Sequence, residues 1–136
     1  MKILVTGGMG FIGKFLLKKL LEEPSNEIVV VDNLSTSKID PELVGKVEFL
    51  EENLEEYLKS PEFPKFDQIY HLASPVGPVG VLKHIGTIGS EIIENLTRVA
   101  QMAVKMEAKL MFISTSEVYG KNPVFDQPED LSLIHI

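Results

Sequence analysis

Residues 7–13 read GGMGFIG, a glycine-dense turn set between two patterned stretches. Before it, Lys2-Ile3-Leu4-Val5-Thr6 is a short, nearly continuous apolar run. After it, Lys14 to Glu23 places Phe15, Leu16, Leu17, Leu20 and Leu21 against Lys14, Lys18 and Lys19. That is helical spacing with the lysines on the wet face. A buried strand, a glycine turn and a helix in immediate succession open a strand–helix–strand unit. The second strand is predicted at 28–32 (IVVVD), β-branched and apolar throughout, as a strand covered on both faces must be.

The remaining chain repeats the alternation. A polar loop over 33–42 leads to a strand at 47–50, a short helix at 54–59 and a strand at 67–72, followed by the Gly/Pro-rich stretch ASPVGPVG. A long helix over 88–107 carries Ile88, Ile92, Ile93, Leu96, Val99, Ala100, Ala103 and Val104 on one stripe, and a last strand follows at 110–114. Apolar strands alternating with helices imply an α/β fold, a doubly wound parallel sheet of the Rossmann type, ending after its fifth strand.

The glycine turn also carries chemistry. Gly8, Gly10 and Gly13 satisfy G-x-G-x-x-G, and from Gly7 the stretch reads G-x-x-G-x-x-G. Asp32 closes the second strand 19 residues after Gly13, close to the roughly 20-residue spacing of the dinucleotide fingerprint. Glycine lets backbone N–H groups approach a pyrophosphate at the positive end of a helix. A carboxylate after the second strand accepts hydrogen bonds from ribose hydroxyls and repels a 2′-phosphate, so NAD is expected over NADP, with Lys38 nearby as a counterweight.

Composition narrows the partners. The net charge of -7 opposes nucleic-acid binding, which needs clustered Lys and Arg. There is no cysteine for thiolate or disulfide chemistry, and His71, His84 and His135 have no metal-site spacing, so no metal is expected. No run approaches the roughly 20 apolar residues that span a bilayer, and no leader pattern opens the chain. A cytoplasmic protein without membrane contact is the expectation. His71, inside an apolar run, reads as a satisfied core histidine, and Tyr70 as packing.

Four stretches in this order resemble the extended short-chain dehydrogenase/reductase family, the NAD-dependent nucleotide-sugar epimerases and dehydratases: VTGGMGFIG (5–13), VDNLSTS (31–37), YHLAS (70–74) and STSEVYG (114–120). The resemblance covers residues 1 to about 130 and implies an NAD-binding domain there. It assigns cofactor contacts to Gly7, Gly10, Phe11, Ile12 and Gly13, to Asp32, Asn33, Leu34 and Ser35, to Asn53 and Leu54, and to Leu72, Ala73 and Ser74. Asn53 stands where the family often has Asp, its amide oxygen able to accept from the adenine amino group.

STSEVYG with HLASP most resembles the UDP-glucuronate decarboxylases. These oxidise the sugar C4 hydroxyl with bound NAD, lose carbon dioxide and return the hydride. Thr115 would then bond the reacting sugar hydroxyl, while Ser116 and Glu117 would sit at the sugar carboxylate. A 4-epimerase or 4,6-dehydratase is the near alternative, and a non-catalytic dinucleotide-binding regulator of the same fold is the alternative from another class. The resemblance also implies a homodimer through helices bordering the active-site strands.

The family's Tyr-x-x-x-Lys base is not in this chain: Tyr57, Tyr70 and Tyr119 are followed four residues on by Pro61, Ser74 and Pro123. Tyr119 therefore reads as shaping a turn. LSLIHI (131–136) continues no pattern of the family and reads as a non-native, adapter-derived tail. The expectations are an incomplete domain, inactive alone, with an apolar sheet edge left open and poor solubility.

Overall fold

The computed structural model describes residues 1–75 and 86–114. Five strands, β1 (Lys2–Thr6), β2 (Glu27–Asp32), β3 (Glu48–Glu51), β4 (Gln68–His71) and β5 (Lys109–Phe112), form one sheet in the order β3-β2-β1-β4-β5. Every neighbouring pair is parallel. Three helices accompany them: α1 (Phe11–Leu20), α2 (Leu54–Tyr57) and α3 (Ile88–Met106). The doubly wound reading holds.

Each face of the sheet has its own core. Ile3, Val5, Ile28 and Val30 point to the α1 side, where they meet Met9, Leu17 and Leu43. Leu4, Val29, Val31 and Ile69 point to the other side and pack with Leu54, Tyr57, Phe66, Val99, Met102 and Ala103. Alternate residues of one strand thus feed opposite cores, which is why β1 and β2 carry no polar alternation.

Several boundaries and faces depart from the sequence expectation. Helix α1 begins at Phe11, inside the glycine run, because Gly13 belongs to its first turn. It ends at Leu20, where Asn26 Nδ2 donates to the Leu20 carbonyl at 2.8 Å. Phe15, expected in the core, is 65% exposed and meets Phe11 edge-on. On α3 the expected stripe was too wide. Ile93 and Val104 are exposed, whereas Met102, left out of the stripe, is buried beside Val99 and Ala103. The helix faces a sheet on one side only, so the wide stripe exceeds what one contact can bury.

The loop 33–42 also contains more order than expected. Pro41–Leu43 forms a 3-10 turn whose Asp40 side chain accepts from the Glu42 amide, and Leu43 is driven into the α1-side core. Phe66, preceding β4, is fully buried and anchors the opposite core.

Candidate functional site

The carboxyl ends of the strands gather the described candidate residues. Order β3-β2-β1-β4-β5 makes the gap between β1 and β4 the switch point, since the chain moves one way from β1 and the other way at β4. Open parallel sheets bind ligands there.

The glycine turn sits over this gap under tight steric constraint. Gly7 has φ +70° and donates to the Val31 carbonyl at 2.8 Å. A Cβ on Gly7 would stand 2.7 Å from the Ala73 nitrogen, so the turn lies directly on the Leu72–Ala73 backbone. A Cβ on Gly13 would come within 2.4 Å of the Gly8 oxygen, so helix and turn touch backbone to backbone. Gly10 differs, with only the Gly7 oxygen near its missing Cβ, at 3.3 Å. It faces outward at the N-cap of α1, with no side-chain cap and no acidic residue in the first turn. Among the described residues no side chain caps these first N–H groups, which leaves them open at the positive end of the helix. Phe11 and Ile12, in that first turn, are exposed.

Asp32 holds a second position that the spacing alone did not reveal. Its carboxylate is largely buried and accepts from the Met9 amide at 2.8 Å, from the Leu34 amide at 2.8 Å and from Ser37 Oγ at 3.4 Å. Asp32 thus clamps the glycine turn to the end of β2. An ionised carboxylate has about four acceptor sites, so one remains for an outside donor. Beyond it, Leu34 adopts φ +54°, and Asn33 turns the loop by accepting from the Ser35 amide.

Asn33 Nδ2 also donates to Asn53 Oδ1 at 2.7 Å, joining the ends of β2 and β3. One lone pair of the Asn53 oxygen is thereby occupied and the second stays available. Leu54 is mostly turned away from solvent: its side chain belongs to the core under α2. Leu72 and Ala73 are half-buried beside Gly7, and Ser74 is exposed. Thr115, Ser116, Glu117 and Tyr119, the distal part of the loop after Pro75, and the 131–136 tail lie outside the described residues.

His71 is buried at the end of β4, its Nδ1 2.8 Å from Thr6 Oγ1 and its ring stacked on Phe112 at 6.0 Å. Burial pushes its pKa down, which keeps the ring neutral. The core-histidine reading agrees with this. Tyr57 is no general base: burial first, then Glu48 and Glu52, push its phenol up to about 12. Tyr70 spends its hydroxyl on Gln68 Oε1 at 2.9 Å. Among the described residues no group of three His, Asp or Glu could hold a metal, and no helix is long and apolar enough to cross a membrane.

An uncapped helix end over a switch point, a turn that admits no side chains at Gly7 and Gly13, and an acid at the end of β2 define a dinucleotide-binding domain of the Rossmann type. The residues present fit NAD: backbone donors for a pyrophosphate, a spare acceptor for a ribose and, among the described residues, no cation paired with the Asp32 carboxylate.

The chain belongs to the NAD dependent epimerase/dehydratase family, whose model matches residues 3–134. It is 39% identical over 132 residues to UDP-glucuronic acid decarboxylase 6 of Arabidopsis thaliana, covering 95% of this chain and 38% of that protein. A crystal structure of UDP-galactose 4-epimerase superposes with TM-score 0.77 at 32% identity, over 96% of this chain and 44% of that one. A dTDP-glucose 4,6-dehydratase from Streptomyces venezuelae, solved with NAD and TYD bound, matches with TM-score 0.71 at 25% identity, over 88% of this chain and 41% of that one. The chain thus spans well under half the length of each.

Proposed function

We propose that this chain is the NAD-binding part of a nucleotide-sugar-modifying enzyme that decarboxylates UDP-glucuronate. The observation that carries the reading is the convergence of the Gly7–Gly13 turn, Asp32 and the Leu72–Ala73 backbone on one switch point. The likeness to UDP-glucuronic acid decarboxylase supports the substrate.

In this reading Gly7, Gly10, Phe11, Ile12 and Gly13 receive the pyrophosphate, chiefly through the backbone at the start of α1. Asp32, with Asn33, Leu34 and Ser35, receives the adenosine ribose. Asn53 and Leu54 border the adenine, and Leu72, Ala73 and Ser74 line the strand end beside the cofactor. When bound, NAD would supply the hydride acceptor for oxidation at the sugar C4 carbon. Thr115 bonds the reacting hydroxyl, while Ser116 and Glu117 serve the carboxylate end of the sugar.

Oxidation at C4 turns the uronic acid into a β-keto acid, from which carbon dioxide leaves readily. The same first step serves 4-epimerases and 4,6-dehydratases, the second reading, which the solved 4-epimerase and dehydratase neighbours favour. In a polypeptide of the relatives' full length carrying this segment, UDP-glucuronate should release carbon dioxide. Interconversion of UDP-glucose and UDP-galactose without such release would favour the second reading. Glu117→Gln there should slow turnover sharply; unchanged turnover would remove Glu117 from the mechanism.

The assembly proposed is a homodimer through α3. Ile93 and Val104 are 67% and 80% exposed. Eleven residues apart, they lie about 20° from each other around the helix, on one outward stripe with Thr97.

A further inference from the structure

One rung crosses the whole sheet at its carboxyl edge: Leu50, Val31, Thr6, His71 and Phe112 are successive register partners on the five strands. Thr6 and His71 are its only polar members, both buried. Their hydrogen bonds form a directed chain. The Ala73 amide donates to Thr6 Oγ1 at 3.3 Å, and Thr6 Oγ1 lies 2.8 Å from His71 Nδ1.

A buried hydroxyl must also place its own proton. Ala73 N–H is a donor and cannot take it, so of these two partners only Nδ1 can accept the Thr6 proton, in the tautomer that leaves Nδ1 unprotonated. The imidazole proton then resides on Nε2. The ring also stacks on Phe112, the last residue of β5. Ala73 is also the residue whose backbone leaves no room for a Cβ on Gly7.

We infer that Thr6 and His71 are positioning residues of the dinucleotide site: a buried hydroxyl–imidazole pair that fixes the Leu72–Ala73 backbone against the glycine turn and ties both to β5 through Phe112. Neither side chain needs to touch the ligand. The inference rests on the dinucleotide reading above and adds to it a reason for a polar pair in an otherwise apolar rung.

The test combines NAD calorimetry, amide exchange at Ala73 and the imidazole 15N shifts of His71, on the chain and its variants. Thr6→Val removes the hydroxyl at constant shape. It should speed Ala73 exchange and weaken NAD binding about five- to tenfold, the worth of one lost hydrogen bond. Thr6→Ser, which keeps the hydroxyl, should retain both. The wild-type 15N shifts should show an acceptor Nδ1 and a protonated Nε2.

Unchanged Ala73 exchange and NAD affinity in Thr6→Val would overturn the inference, as would a proton on Nδ1. Should Thr6→Val fail to fold, Thr6→Ser and the wild-type shifts still decide. If the unaltered chain shows no NAD binding, the dinucleotide reading fails, while exchange and shifts continue to judge the pair itself.

Discussion

Gly13 and Gly45 separate two reasons for glycine. At Gly13 a methyl group would stand 2.4 Å from a backbone oxygen that has nowhere to go. At Gly45 the backbone has φ +74° but open space around it. Gly13→Ala should therefore cost about 2–3 kcal/mol, as overpacking does, and Gly45→Ala about 1 kcal/mol, from strain alone. Urea unfolding of the two variants checks the order. His71 gives a pH prediction. Its folded pKa is depressed below the unfolded 6.5, so the unfolded chain binds the proton first. Its contribution to stability is present above pH 6.5 and is lost as pH falls through the folded pKa, at up to about 1.4 kcal/mol per pH unit. His71→Gln should flatten that part of the stability profile between pH 7.5 and 5; an unchanged slope would contradict it. At this scale the sequence was legible where spacing encodes geometry, as with Gly7, Gly13 and Asp32. It was silent on the Met9 amide that Asp32 holds, because a backbone donor leaves no mark in the sequence.

Elements were legible where one period dominates. The strands β1 and β2 are apolar without interruption and land within a residue of expectation. Helix α3 was found, and its expected stripe held the buried Val99 and Ala103. The stripe missed Met102 and took in outward residues, because the helix's apolar residues exceed the one face that meets the sheet. Val99, Met102 and Ala103 face the core, and Ile93 and Val104 face away. Replacing both outward residues by Glu should leave folding intact and abolish the proposed dimer, read by sedimentation at rising concentration. A monomer in the unaltered chain would refute that interface. Phe66 makes the opposite case. It lies outside every regular element yet is fully buried, so Phe66→Ala should cost about 3–5 kcal/mol. Loop position hid it, since apolar periodicity needs several turns or strand residues to register.

Across the molecule, the two faces of the sheet are unequally covered. Helices α2 and α3 pack on one face and α1 on the other, and β5, the outermost strand on its side among the described residues, has Met111 and Phe112 about half exposed. With Phe11, Ile12 and Phe15 also exposed, the chain by itself should bind hydrophobic dyes. The parallel, doubly wound sheet followed from the alternation of elements, whereas the order β3-β2-β1-β4-β5 is seen only in the structure. Which sugar chemistry the proposed site supports is not dictated by sheet topology. The central claim is that the switch point takes a dinucleotide whose ribose meets Asp32. Titrating the chain with NAD and with NADP in a calorimeter tests it most directly. NAD should bind the more tightly; equal affinities, or NADP binding better, would contradict the account.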